Sequence, residues 1–135
     1  NMLSVTEQGR LSAMLHLLPF RGELGRTGYI YGVATAADRR RCGLATRLMH
    51  EAIDRARTEG YDALMLIPAD EELRRFYARF GFRGACPVRF TSAADFDFGT
   101  GSPETDLAAI LPLNEEVSLP DTLNCRFGRQ LSPDE

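Results

Sequence analysis

The sequence predicts an α/β fold built on a mixed sheet, and three observations carry that expectation. Residues 28–36 read as a strand, 43–59 as an amphipathic helix and 63–67 as a short continuous apolar run; in that order they make a right-handed crossover that leaves the two strands parallel neighbours. Residues 2–6 and 11–18 are apolar runs joined by a turn, so the chain opens with an antiparallel hairpin. A second helix signal begins at Asp70, after the apolar run. With 135 residues, 44% of them hydrophobic, the chain can bury one core and hardly two, so residues 1–135 are expected to form a single domain.

Taken in order, Met2 to Thr6 alternates as a half-buried strand does, and Gly9 in the turn Glu7 to Arg10 can take a positive φ. In Leu11 to Leu18, Met14 and Leu18 share a face with Ser12 and His16, which points to burial on both faces. His16 accordingly reads as a core imidazole rather than a base. Pro19 to Gly28 holds three glycines among charged residues and reads as a loop. The strand Gly28 to Ala36 is interrupted by Gly32, and a glycine inside a strand marks a bulge or a close approach of backbone or ligand.

In the first helix Leu44, Leu48, Met49, Ala52, Ile53 and Ala56 form one apolar face, Glu51 pairs with Arg47 and Arg55 on the other, and Gly60 is placed for a C-cap. His50 reads as solvated. Asp70 is a natural N-cap for the second helix, Glu71 and Glu72 suit its dipole, and Leu73, Phe76, Tyr77 and Phe80 make its apolar stripe up to Gly81. Phe82 to Phe90 returns as a strand that Pro87 demotes toward an edge or bends. From Ser92 to Glu104 there is no periodicity, Leu107 to Leu113 is apolar but short, and Val117 to Phe127 suggests a last strand broken by Pro120.

The functional reading starts where the third strand gives way to the first helix. Arg39, Arg40 and Arg41, then Gly43 and Ala45 at the helix opening, offer an anion unpaired backbone N–H groups, a helix N-terminus and mobile positive charge. The carboxyl end of a parallel strand is where open α/β sheets bind ligands, so the stretch reads as a phosphate seat.

Charge excludes one class of partner. The net charge is −3, divided between residues 1–91 (14 Arg against 10 acids, +4) and residues 92–135 (2 Arg against 9 acids, −7); one arginine triplet is no nucleic-acid-binding face. The acidic stretch could steer a cationic substrate. Cys42, Cys86 and Cys125 are widely spaced, with no C-x-x-C pair and only His16 and His50 as partners, so no metal is expected and the thiols read as reduced. No run approaches the roughly 18 apolar residues of a membrane helix and no basic-then-apolar leader opens the chain. The expectation is a cytoplasmic protein without a membrane partner.

Arg40-x-x-Gly43-x-Ala45, set between a strand ending Val33-Ala34-Thr35 and an amphipathic helix, resembles the pyrophosphate-loop motif of the GNAT superfamily of acetyl-CoA-dependent N-acetyltransferases. Leu66 to Ala69, leading to Phe76-Tyr77-Ala78-Arg79-Phe80-Gly81-Phe82, looks like that family's second motif. Together they cover about residues 28–83. The resemblance implies a GNAT-like three-layer α/β fold, its central sheet mostly antiparallel with one parallel strand pair splayed around acetyl-CoA. It implies that the backbone from Arg41 through Cys42, Gly43, Leu44 and Ala45 to Thr46 holds the coenzyme A pyrophosphate. It also implies that the backbone at Val33 and Thr35, flanking Ala34, pairs with the pantetheine and faces the thioester carbonyl.

By the same resemblance Tyr77 is the proton donor to the departing sulfur, against its simpler reading as one more ring of the helix stripe. Cys42 in the phosphate loop departs from the pattern; a thiol at a helix N-terminus beside arginines should have a lowered pKa, though filler is the simpler reading. The general base stays open among Tyr29, Tyr31, a carboxylate of the acidic stretch and a chain of waters. The family usually opens with a strand and two helices, whereas Asn1-Met2-Leu3 already reads as the second strand. An exposed sheet edge would follow, which a partner copy in a homodimer could cover. The expected activity is direct acetyl transfer to a primary amine of a small molecule or peptide in a ternary complex. The alternative is a module that binds acyl-CoA without turnover.

Overall fold

Tight turns lay down the first three strands as one meander. In this computed structural model, which describes residues 2–36, 43–92 and 107–127, β1 (Met2–Glu7), β2 (Arg10–Gly22) and β3 (Gly25–Thr35) pair antiparallel in succession. Gln8 at φ 52° and Gly9 at φ 78° make the first turn, both left-handed as a two-residue type I′ hairpin needs. The loop expected over residues 19–28 is instead a second hairpin: Pro19 pairs with Gly28, and Gly22 with Gly25, around Glu23 and Leu24. β1 pairs with β2 only as far as Met2 and His16, so among the described residues no ladder is recorded on the far side of Pro19, and its missing N–H costs the sheet nothing.

The crossover is the predicted one. α1 (Leu44–Thr58) buries all six expected apolar side chains and leads to β4 (Ala63–Leu66), parallel to β3. α2 (Glu71–Ala78) starts at Asp70, whose carboxylate accepts the Leu73 N–H at 2.8 Å, the predicted cap. Its apolar stripe is narrower than expected: Tyr77 is buried, Phe76 and Phe80 are half-buried, and Leu73 in the first turn stays 37% exposed. Arg74 ties this short helix to the sheet, donating from Nη1 to the Gly84 carbonyl at 2.7 Å and from Nη2 to the Leu107 carbonyl at 2.9 Å.

β5 (Arg83–Ser92), β6 (Leu107–Pro112) and β7 (Leu123–Phe127) complete a seven-stranded sheet in the order β1-β2-β3-β4-β6-β5-β7. β6 runs antiparallel between β4 and β5, and β7 is parallel to β5, a second parallel pair beside β3 and β4. Pro87 sits on an internal strand, not the edge its chemistry suggested. β5 pairs with β6 as far as Pro87 and with β7 from Val88 on, so the proline stands at the changeover, where one side of the strand carries no ladder to break.

Two apolar clusters flank the sheet. On one face Leu15, Leu17, Ile30, Leu64 and Leu66 pack with α1 and with Tyr77 of α2. On the other, Phe20, Tyr29, Met65, Val88, Ile110 and Leu123 pack together. Among the described residues no helix covers that second face; the sheet curls over it instead. The free end of β7 is clasped to the β2–β3 turn, where the Glu23 carboxylate accepts the Asn124 backbone N–H at 3.2 Å and its side-chain Nδ2 at 2.7 Å. Burial raises the Glu23 pKa, but the hydrogen bonds from Asn124 and from its own backbone outweigh it and leave the pKa lowered.

Candidate active site

The interruption at Gly32 is a bulge. His16 pairs with Tyr31 and Met14 with Ala34, so two steps of β2 face three of β3, with Gly32 at φ 64°. The extra residue reverses which face follows. Tyr29 and Tyr31 point to the face away from the helices, whereas Val33 packs against the cluster beneath α1. It also coincides with a divergence, because β3 and β4 pair only over Thr27–Tyr29 and Ala63–Met65.

The free edge of β3 follows from strand alternation. The Ala36 N–H donates to the Ser12 carbonyl at 2.8 Å, so Ala34, two residues earlier, also turns its backbone groups to β2. Val33 and Thr35 then turn theirs to the β4 side, where among the described residues no strand pairs with them. Of the three residues implied at this strand end, Val33 and Thr35 offer backbone to a ligand and Ala34 does not.

α1 begins beside this edge. Gly43 caps it at φ 79° with no side-chain hydrogen bond, and the first turn holds no acid. The Gly43 carbonyl already accepts the Arg47 N–H at 3.0 Å. Among the described residues the N–H groups of Leu44, Ala45 and Thr46 have no partner inside the helix, and they stand at the positive end of its dipole. A Cβ built on Gly43 would meet nothing within 4 Å; within the chain the glycine answers to its left-handed φ rather than to crowding. Arg40, Arg41 and Cys42, the rest of the implied pyrophosphate loop, lie outside the described residues, as does Arg39.

Tyr77 is buried, edge-on to Phe76 at 5.2 Å and to Phe82 at 6.3 Å. Among the described residues its hydroxyl has no hydrogen-bond partner, yet none of their buried polar side-chain atoms is left unpartnered. The hydroxyl therefore opens into solvent-reachable space. Burial pushes its pKa up, so the phenol is protonated at neutral pH.

His16 is not the core imidazole its sequence position suggested. It is half-buried, its ring stacked on Tyr31 at 5.1 Å, and Tyr31 stacks on Tyr29 at 5.4 Å. The signal for this was Gly32: a Cβ there would stand 3.0 Å from His16 Cδ2, so the glycine makes room for the ring. Among the other groups considered as a base, Tyr29 is buried, Tyr31 half-buried, and Glu115, Glu116 and Asp121 are exposed; the remaining acids beyond residue 92 lie outside the described residues. His50 is exposed, as expected, and meets Phe80 edge-on at 5.1 Å. The Cys86 thiol is buried and donates to the Pro120 carbonyl at 3.3 Å, its pKa raised by burial and by Glu23 and Asp121. Among the described residues no three His, Cys, Asp or Glu side chains gather as metal ligands, and no helix is long and apolar enough to cross a membrane.

The sequence matches the model of the acetyltransferase (GNAT) family over residues 2–82. A comparison with curated proteins returns no match. Among solved structures the chain is similar to the GNAT family N-acetyltransferase YhbS of Escherichia coli in complex with CoA, at 18% identity and TM-score 0.65, covering 93% of this chain and 66% of that one. It is similar to N-acetylglutamate synthase of Neisseria gonorrhoeae complexed with coenzyme A and N-acetyl-glutamate, at 19% identity and TM-score 0.61, covering 84% and 26%. It is also similar to the ribosomal-protein-S18-alanine N-acetyltransferase of E. coli, at 20% identity and TM-score 0.59, covering 88% and 74%. At these identities the likeness is one of fold.

Proposed function

The chain belongs to the acetyltransferase (GNAT) family, and from that premise we propose that it transfers an acetyl group from acetyl-CoA to a primary amine of a small molecule or peptide, by direct attack in a ternary complex. One observation carries the reading: the Gly32 bulge leaves the Val33 and Thr35 backbone open where β3 parts from β4, beside a helix start without a side-chain cap. A phosphorylated, amide-bearing donor fits both features. Its diphosphate takes the N–H groups of Gly43 to Thr46, with Arg40, Arg41 and Cys42 as the approach, and its extended arm adds to β3 as a strand would. The relatives solved with CoA support the same donor.

The chemistry asks three things of the chain. A backbone N–H at the free edge stabilises the carbonyl oxygen as it gains charge. The amine must arrive neutral, and the departing sulfur must gain a proton. Tyr77, protonated and open at its hydroxyl, is the donor of that proton. In the same reading the protein works in the cytoplasm without nucleic acid, and the edge of β1 is a surface for a homodimer.

Tyr77→Phe tests the assignment because it removes one oxygen and keeps the ring. Amine-dependent CoA release should fall about 10²-fold in kcat, while acetyl-CoA affinity by calorimetry stays within twofold of the parent. Undiminished release would remove Tyr77 from the mechanism. Binding without release across a broad amine panel would instead favour a non-catalytic acyl-CoA-binding module.

A further inference from the structure

An amine of ordinary basicity is almost wholly protonated at neutral pH, so the transfer just described, on which this inference rests, needs a group to remove a proton before attack. On the α1 side of the open strand edge half-buried Val33 packs against the helix-covered core that also holds Tyr77. The opposite face, left for an acceptor, carries half-buried Tyr31, Leu18 and Ile67, exposed Gly32, and His16.

We propose that His16 is the base that takes the proton from the acceptor ammonium. Three observations converge on it. Its ring is fixed against Tyr31 at 5.1 Å with only 19° between the planes. It lies over the bulge residue, 3.0 Å from where a Gly32 Cβ would stand, and so beside the point where β3 leaves β4. Among the described residues its two nitrogens have no hydrogen-bond partner, and none of their buried polar atoms is unpartnered, so the nitrogens reach solvent. The ring is held by its face and open at its edge, and an imidazole nitrogen is a proton acceptor suited to general-base work.

The protons balance. The acceptor R–NH3+ gives one proton to a His16 nitrogen, directly or through one water, and the neutral amine forms the new N–C bond. As the C–S bond breaks, the nitrogen loses its second proton to solvent and the sulfur takes one from Tyr77, which solvent replaces. His16 then returns its proton to solvent, so one amide, one thiol and one net proton result. Among the described residues the titratable groups stacked beside the imidazole are Tyr31 and, behind it, Tyr29, both on β3; Met2, its partner across β1, carries no charge.

The test compares a primary amine found in the panel with an analogue that carries a trifluoromethyl group at the β position, whose nitrogen is already mostly neutral at pH 7. In His16→Gln, kcat/KM for the basic amine at pH 7 should fall about 10²-fold, the weakly basic analogue should be nearly unaffected, and acetyl-CoA affinity should hold. In His16→Ala, added imidazole should restore part of the rate with the basic amine. An equal loss on both amines, or no loss on either, overturns the assignment while leaving the acetyltransferase reading intact. No CoA release by the unsubstituted protein with any amine overturns both.

Discussion

Gly32 does two things at once, and they can be separated. Its φ of 64° builds the bulge that turns Val33 under α1, and its missing Cβ leaves room for the His16 ring. Gly32→Ala should cost about 1 kcal/mol from the left-handed backbone, read as a lower denaturation midpoint, and the displaced imidazole should lower amine-dependent turnover more than that loss explains. Full activity in a destabilised Gly32→Ala would detach the bulge from the chemistry. This residue was legible in the sequence as an oddity of a strand. What it accommodated was not, because the register that sets His16 opposite Tyr31 depends on the bulge itself. Tyr77 was the reverse case: its place on a stripe was readable from spacing, whereas the role proposed for it rests on a family pattern.

Between residues and fold, the elements with a strong local period were the readable ones. α1 buried its whole predicted face and α2 took the predicted Asp70 cap. β6 and β7 were faint, because their neighbours are far away in sequence: β6 slots between β4 and β5, and β7 joins β5 in parallel. The glycines of residues 19–28 suggested a loop where a hairpin stands, and Pro87 suggested an edge. Pro87 stands in a strand where one side carries no ladder, a fact of pairing that the residue itself does not report. The same long-range closure yields a pH prediction. Glu23 holds Asn124 as a carboxylate and its folded pKa is lowered from 4.5, so its contribution is complete above the unfolded value and lost as pH falls through the folded one. Urea midpoints measured from pH 6 downward should decline in the parent from about pH 4.5, and part of that decline should vanish in Glu23→Gln, which starts less stable. Parallel curves for the two proteins would show that the clasp contributes nothing.

At the scale of the molecule, one sheet face is packed by two helices and the other is closed by the sheet's own curl, so the divergence of β3 from β4 opens between two cores. In the proposed reading the donor takes the edge of backbone and the helix start, and the acceptor takes the face of Tyr31 and His16. The charge division, +4 over residues 1–91 and −7 over residues 92–135, is compatible with the proposed pairing of a phosphorylated donor with a cationic acceptor. The chain contains no lysine among its sixteen basic residues, so it offers no ε-amine of its own to confuse an assay. Mass spectrometry of the protein incubated with acetyl-CoA and a pool of amine metabolites and peptides is the sharpest test of acetyl transfer. At least one acetylated primary amine should form, mole for mole with free coenzyme A, and be absent without the protein. Saturable acetyl-CoA binding with every amine in the pool unmodified would contradict the proposal.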